Sequence, residues 1–336
     1  MNLIDVSKQL QTEDQCLDFI EKVRWPDGKV RCVRCGNDKV SRITRTVDAS
    51  KSREEKKQNK RTRLYACLEP TCKHRFTPTV GTLFHDSHLP LAKWFSAVAL
   101  IVHAKKGMSA MQMQRHLGVN YRTAWYMGHR IRKAMASGEG IMVPPSDPGR
   151  SGPFVTRLHA KKKLSGTVEI DETYIGGKQR GHKRQKKNKD VVMGMRERGG
   201  DLRLIHIADN SAAVLSKQIV EHINSDVERV ITDESSSYPP AMIASGIHGS
   251  KHETIRHKEE IYVRGDIHTN TIESAFSLFK RGVVGSFHKV SSKHLQRYLS
   301  EFEYRFNRRK AVDIFGEMVA NLVGTKPIEY RTLIAN

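Results

Sequence analysis

The sequence predicts a multi-domain α/β protein in which a mixed β-sheet follows a cysteine-rich N-terminal segment and a group of helices. Four of the five cysteines form two close pairs in the first quarter of the chain. Apolar residues then recur at helical spacing over residues 89–135. From Gly166 onward, short apolar runs and amphipathic stretches follow in the order three strands, helix, strand, helix, strand, helix. This order suits a mixed sheet with a crossover connection.

The two cysteine pairs predict one structural zinc ion held by four thiolates. The pairs are Cys32-x-x-Cys35 and Cys67-x-x-x-x-Cys72, and Gly36 supplies the turn that a zinc knuckle needs. Four unligated thiols, or a redox pair, are the alternatives. Three histidines could substitute as zinc ligands: His74, His85 and His88.

The next segment predicts a helix-turn-helix that binds DNA. Helical patterns cover Leu89–Lys105, Ser109–Leu117 and Tyr121–Met135, and a tight turn at Gly118 separates the last two. The last helix is cationic, and we expect its DNA contacts to come from Arg122, Arg130, Arg132 and Lys133. By periodicity alone, the same segment could be an ordinary small helical bundle.

The predicted sheet carries acidic residues at positions that suit a divalent-cation site. Thr167–Ile175 reads as a strand with Asp171, and Arg229–Thr232 as a strand ending at Asp233. A helix from Thr269 onward carries Glu273 and, two turns later on the same face, Lys280. The other predicted elements are strands Asp190–Arg196, Asp201–Ile207 and His252–Arg256, and helices Ser211–Ile223 and Ser235–Ser245.

These three carboxylates could hold two divalent cations for phosphoryl transfer, because hard cations prefer carboxylate oxygens. Each residue alone has a simpler interpretation. A single Asp after a strand is usually a turn residue, and a single helical Glu usually faces solvent. Asn270 lies one turn before Glu273 and is the alternative third ligand, and Asp266 is also close in sequence.

Charge favours a polyanionic partner for the whole chain. The 336 residues include 58 Lys and Arg against 36 Asp and Glu, which gives a formal net charge of +22. Basic residues cluster in Lys51–Arg63 and in Lys178–Lys189. Within the second cluster we expect DNA contacts from Lys183, Arg184, Lys186 and Lys187. A basic protein kept soluble by its charge is the alternative.

No segment predicts membrane insertion. Residues 1–10 are polar, and the longest apolar stretch, Trp94–Ala104, is too short to span a bilayer. We therefore expect a cytoplasmic, nucleoid-associated protein with no membrane partner.

Composition shifts divide the chain into six predicted segments. They are an N-terminal helical segment (1–25), a zinc ribbon (26–85), a helix-turn-helix (88–137), a linker rich in Pro and Gly (138–165), an α/β domain (166–315) and a C-terminal tail (316–336).

Several long strings resemble a known family. They include the zinc-ribbon cysteines, Gly81–His85, Val168–Lys178, His268–Ser274 and Glu301–Lys310. The chain resembles the DDE transposases of bacterial insertion sequences that have an N-terminal zinc ribbon and an ISXO-like catalytic domain. The resemblance covers most of the chain.

This resemblance implies an RNase H-like fold with Asp171, Asp233 and Glu273 as the catalytic triad and Lys280 as a phosphate contact. It also implies two Mg²⁺ (or Mn²⁺) ions in each active site, with double-stranded DNA as substrate, both at the element ends and at the target. Pairing of two ends implies a homodimer or higher oligomer on DNA. Two other functions stay open: a transposase-derived DNA-binding regulator without catalysis, and a metal-dependent nuclease that does not join strands.

Overall fold

The computed structural model describes residues 1–43, 63–136, 141–143, 154–156, 161–176, 189–255 and 266–335. The chain forms two compact units. The ribbon–helix unit comprises residues 1–104, 109–160 and 311–336, and the sheet unit comprises residues 105–108 and 161–310.

The secondary structure is as follows. The described helices are α1 (Leu3–Gln9), α2 (Glu13–Arg24), α3 (Leu91–His103), α4 (Ala110–Leu117), α5 (Tyr121–Ala136), α6 (Ala212–His222), α7 (Tyr238–Ala244), α8 (Asn270–Gly282), α9 (Ser292–Asn307), α10 (Ile314–Gly324) and α11 (Tyr330–Ile334). The described strands are β1 (Val40–Ile43), β2 (Leu64–Cys67), β3 (Arg75–Phe76), β4 (Ile141–Val143), β5 (Phe154–Thr156), β6 (Thr167–Ile175), β7 (Asp190–Glu197), β8 (Leu202–Ile207), β9 (Arg229–Thr232) and β10 (His252–Thr254).

The sheet unit is built on a mixed five-stranded sheet with strand order β10-β9-β6-β7-β8. β6, β7 and β8 form an antiparallel meander, whereas β9 pairs with β6 and β10 pairs with β9 in parallel. The predicted mixed α/β fold is therefore confirmed. The bounds predicted for β6 and β9 agree with the structure.

Helices cover both faces of this sheet. Val168 and Ile170 of β6 pack with Leu215 of α6 and Ala241 of α7 on one face. On the other face the apolar residues of β7 and β8 pack with α8 and α9: Val192, Leu202 and Leu204 against Ile272, Phe276, Leu295 and Leu299. Because successive strand residues face opposite sides, the odd-numbered residues of β6 face α8 and α9.

The ribbon–helix unit has a small antiparallel sheet, β1-β2-β3, and a helical core. α3 is buried along most of its length, and Phe95 of this helix contacts the rings of Phe19 and Phe315 at centroid distances of 5.8 Å. Phe315 belongs to α10, and residues 311–336, which include the predicted C-terminal tail, belong to this unit. The backbone N–H of Leu83 also donates to the carbonyl of Leu322.

The predicted arrangement of α4 and α5 agrees with their local geometry. Ser109 caps α4 by accepting a hydrogen bond from the N–H of Gln112. Gly118 ends α4 with φ of +58°, a left-handed conformation that glycine adopts without strain. α5 follows three residues later, which gives helix, tight turn and helix in the order predicted.

Two short strands lie within the segment that we predicted as a linker. β4 and β5 pair antiparallel, with Ile141 opposite Thr156. Within the described part of the chain, no helix is both long and apolar enough to cross a membrane.

Candidate active site and zinc centre

The first two predicted carboxylates follow the paired residues of the parallel strands β6 and β9. Glu169 of β6 is opposite Ile231 of β9. Asp171 lies two residues further along β6, and Asp233 directly follows the last residue of β9. Parallel strands in register direct paired side chains to the same face. Asp171 therefore lies on the face covered by α8, and both Asp171 and Asp233 are close enough to Glu172 for their charges to raise its pKa.

Backbone N–H groups orient both aspartates. An Asp171 carboxylate oxygen accepts a hydrogen bond from the N–H of Glu172, with an N···O distance of 2.7 Å. An Asp233 carboxylate oxygen accepts from the N–H of Ser235 at 3.0 Å. Both side chains are half-buried, so they remain accessible to a ligand.

A glycine in β7 allows α8 to approach the sheet next to Asp171. Gly194 is the residue paired with Asp171 across the β6–β7 ladder. A Cβ atom at Gly194 would lie 2.5 Å from the ring of Phe276 and 2.7 Å from Ile272, which is closer than real contacts allow. The glycine thus lets α8 lie directly against the sheet beside the aspartates.

Glu169 fixes the start of α8 on the same face. Its carboxylate is fully buried and accepts hydrogen bonds from the N–H of Thr271 (2.9 Å), the hydroxyl of Thr271 (2.6 Å) and the N–H of Ile272 (3.1 Å). The first N–H groups of a helix have no partner within the helix, and a carboxylate there also benefits from the helix dipole. Arg198 pairs with the same carboxylate at 2.7 Å, and His268 lies 3.3 Å from it.

The role of Glu169 was not predicted from the sequence. Strand alternation does place it on the same face as Asp171, two residues earlier. The partners that define its role lie about a hundred residues away in the sequence, so no local pattern indicates them.

Glu273 lies one turn after the anchored start of α8. Its carboxylate accepts a hydrogen bond from the hydroxyl of Thr269 at 2.9 Å, and its side chain is exposed. The position of Glu273 is therefore set by the placement of α8 against β6.

A cleft of about 580 Å³ in the sheet unit brings together three of the predicted site residues, Asp171, Glu273 and Lys280. Its other lining residues are Lys106, Glu172, Thr173, Phe276, Ser277, Arg281, Val284 and Gly285. Asp233 and Asn270 are described but do not line this cleft. Asp233 directly follows β9, the strand that pairs with β6, and Asn270 is exposed at the first position of α8.

A fourth carboxyl group lies close to the two aspartates. Burial raises the pKa of Glu172 to about 7, and the negative charges of Asp233 and Asp171 add to this effect. Burial also raises the pKa of Tyr238 in α7, together with the charge of Glu172. The three acidic groups therefore interact electrostatically, which is the situation that a bound cation would relieve.

The structure buries two of the four α5 residues that were predicted to contact DNA. Arg130 and Arg132 are only 4% and 3% exposed. Arg130 lies over the rings of Trp94 and Tyr126 at 5.4 and 5.3 Å, and it donates to the carbonyl of His85 at 3.1 Å. Direct contact of these two arginines with DNA does not fit such burial.

The other predicted DNA contacts differ in position. Arg122 is exposed in the first turn of α5. Lys133 is half-buried and donates to the carbonyl of Lys326 at 3.2 Å. The four predicted contacts of the second basic cluster, Lys183, Arg184, Lys186 and Lys187, lie outside the described residues.

The four cysteines of the predicted zinc site form one cluster in the ribbon–helix unit. The Sγ atoms of Cys32 and Cys72 are 3.7 Å apart, and those of Cys35 and Cys67 are 3.6 Å apart. All four atoms lie within 4.8 Å of one another. Thiolates about 2.3 Å from a tetrahedral zinc ion are separated by roughly 3.8 Å, so the cluster fits structural zinc.

The zinc site predicts a specific metal content. We expect one zinc ion per chain by elemental analysis, and we expect Cys67→Ser to lose most of it. The variant should also unfold at a lower temperature, because zinc binding stabilises a ribbon that has a small apolar core. Cys16→Ser is the matched control, since Cys16 is buried in α2 away from the cluster, and it should keep its zinc. Equal zinc in both variants would contradict the assignment.

Two family models match the parts of the chain that contain the cleft residues of β6 and α8 and the cysteine cluster. Residues 163–307 match the ISXO2-like transposase domain, and residues 11–75 match the transposase zinc-ribbon domain. The first range contains β6 to β9 and α8, and the second contains all four clustered cysteines.

A protein of a transposable element is similar to this chain over most of its length. The chain is 25% identical over 315 residues to an uncharacterized protein in the transposable element ISH50 of Halobacterium salinarum. The alignment covers 89% of this chain and 92% of that protein. The two matched domains together span more than half of the chain. The chain therefore belongs to the insertion-sequence transposases that join a transposase zinc ribbon to an ISXO2-like transposase domain.

Proposed function

We propose that this transposase binds the terminal inverted repeats of its insertion sequence and catalyses Mg²⁺-dependent cleavage and transfer of DNA strands. One observation carries the proposal. Asp171, Glu273 and Lys280 line a single cleft, and the charge of Asp233 acts on Glu172, which lines the same cleft. The cleft lies within the part of the chain that matches a transposase domain.

The chemistry of the donor groups fits hard divalent cations. Asp171, Asp233 and Glu273 offer only carboxylate oxygens, and these are the ligands that Mg²⁺ and Mn²⁺ prefer. We propose that Asp171 contacts two such ions, and that Asp233 and Glu273 each contact one. Two bound ions would activate the attacking oxygen and stabilise the leaving oxygen of a phosphodiester.

The protein's own groups would hold and orient the reactants. Thr269 keeps the Glu273 carboxylate in place, and Lys280 would bind a phosphate oxygen. In the first step, water attacks phosphorus at the element end, the bond to the 3′ oxygen breaks, and a 3′-OH is released. In the second step, this 3′-OH attacks a target phosphodiester and displaces the target's own 3′ oxygen. Neither step needs a covalent protein intermediate.

Double-stranded DNA would contact both units. In the ribbon–helix unit, the exposed Arg122 lies at the N-terminal end of α5, where recognition helices usually contact DNA. We propose that the basic residues Lys183, Arg184, Lys186 and Lys187 add phosphate contacts. Pairing of two element ends would need at least a homodimer, and the DNA substrate would place the working protein at the nucleoid.

The function can be tested on supercoiled DNA that carries the gene with its native flanks. We expect cuts at the element ends that require Mg²⁺ or Mn²⁺, followed by joining of the 3′ ends to target DNA. Specific binding without cuts would favour a DNA-binding regulator, and cuts without joining would favour a nuclease.

The same assay identifies the third carboxylate. We expect Glu273→Gln to lower the cleavage rate by at least about 100-fold while DNA binding persists, because the variant loses a charged ligand but keeps its shape. Asn270→Ala is the comparison variant and should cleave nearly as well as the wild type. The opposite pattern would move the third ligand to Asn270.

A further inference from the structure

One lysine of the cleft comes from a part of the chain far from the acidic residues. Lys106 lines the cleft together with Asp171, Glu273 and Lys280. In sequence it lies in the short connection between α3 and α4, yet residues 105–108 belong to the sheet unit. Its presence there calls for a physical explanation.

The backbone of this segment is held against α9. The carbonyl of Lys105 accepts a hydrogen bond from Arg305 of α9, with an N···O distance of 3.0 Å. Arg305 in turn pairs with Glu301 at 3.2 Å, and both side chains are buried. A buried ion pair that also binds a main-chain carbonyl holds the segment at one position.

Two glycines bring the segment into close contact with its surroundings. Gly107 has φ of +81°, and a Cβ atom there would lie 2.5 Å from the ring of Phe287 and 2.8 Å from the carboxylate of Glu301. On α8, a Cβ atom at Gly282 would lie 2.9 Å from the carbonyl oxygen of Lys106. Neither approach leaves room for a side chain, so the main chain of Lys106 lies directly against α8.

The side chain of Lys106 is exposed although its backbone is fixed. Among the described residues, no hydrogen bond or ion pair engages its ammonium group, and the same holds for Lys280 and Arg281 in the same cleft. Three cations thus line a cleft with three carboxyl groups, Asp171, Glu172 and Glu273, without pairing with them. Unpaired cations beside a carboxylate site suit a ligand that is itself an anion.

We propose that Lys106 binds a backbone phosphate of DNA in this cleft and acts beside Lys280 on the strand being cut. The proposal rests on the function proposed above, and it adds a second phosphate-binding residue from another part of the sequence. A lysine that only improves solubility would need no buried ion pair and no two glycines to fix its backbone.

The matched control for this proposal is the neighbouring lysine. Lys105 is also exposed, but it does not line the cleft, and only its main-chain carbonyl contacts Arg305. Truncation of its side chain leaves that contact in place. Lys105→Ala and Lys106→Ala therefore remove the same charge at adjacent positions, and only the second removes it from the cleft.

Two measurements test the proposal on the full zinc-loaded chain. In single-turnover cleavage of an end-containing duplex, we expect Lys106→Ala to slow the reaction at least about 10-fold, and Lys106→Arg to recover most of the rate. Lys105→Ala should match the wild type. Equal rates for Lys106→Ala and Lys105→Ala would overturn the proposal.

The second measurement does not depend on catalysis. Binding of the same duplex without added divalent cations is followed as a function of salt, and we expect Lys106→Ala to reduce the salt slope by about 0.9 relative to Lys105→Ala. If the wild type fails to cleave, the proposed function fails, and this slope alone decides the role of Lys106. Equal slopes for the two variants would then overturn it.

Discussion

Asp171→Asn is expected to lower the rate of DNA strand cleavage by about 1000-fold or more, the largest effect predicted for this chain. Asp171 is the carboxylate proposed to contact both cations, and asparagine keeps its size but loses its charge. The strand pairing around it is made by main-chain groups, so we expect the fold and DNA binding to persist.

This prediction can be checked with end-cleavage rates over a range of Mg²⁺ and Mn²⁺ concentrations. Asp209→Asn is the matched control, because Asp209 is an exposed aspartate of the same unit that does not line the cleft. It should cleave at the wild-type rate. Comparable activity of Asp171→Asn and the wild type would contradict the proposed site.

Glu169→Gln is expected to destabilise the sheet unit by about 1–3 kcal/mol, because it removes the charge of a fully buried carboxylate that pairs with the partly exposed Arg198. It also weakens the hydrogen bonds that hold the first N–H groups of α8, on Thr271 and Ile272. Since α8 carries Glu273, cleavage should fall as well, even though Glu169 contacts no substrate.

Hydrogen exchange separates this role from a simple loss of stability. We expect the amides at the start of α8 to exchange faster in Glu169→Gln, even well below its unfolding temperature. Glu253→Gln is the comparison, because Glu253 pairs with Arg229 in a partly exposed ion pair and should lose at most about 1 kcal/mol. Unchanged protection of α8 would refute the anchoring role of Glu169.

The strands of the sheet unit could be predicted from the sequence because their signals are local. β9 is a short apolar run, β6 alternates apolar and acidic residues from Val168 to Asp171, and the Gly199–Gly200 turn indicates the β7–β8 hairpin. The positions of Asp171 and Asp233 in the chain follow from these bounds. Their relative position in space depends on the parallel pairing of β6 with β9, which local patterns do not determine.

The buried arginines of α5 show why other features escaped prediction. By composition Arg130 and Arg132 resemble DNA contacts, but residues near the C-terminus lie against this helix. The hydroxyl of Tyr126 donates to the carbonyl of Ile328 at 2.6 Å, and Lys133 donates to that of Lys326. Contacts between residues about 200 positions apart leave no periodic signal in either segment. The placement of Lys106 in the cleft escaped prediction for the same reason.

The β6–β9 register makes the candidate site sensitive to chain length rather than only to side-chain identity. Deletion of Thr167 or Val168 would turn Asp171 towards α6 and α7, because side chains alternate along a strand. It would turn Glu169 away from α8 at the same time. β6 can therefore vary in many of its apolar side chains, whereas a change of one residue in its length would remove both the proposed metal ligand and the anchor of the helix that carries its partner.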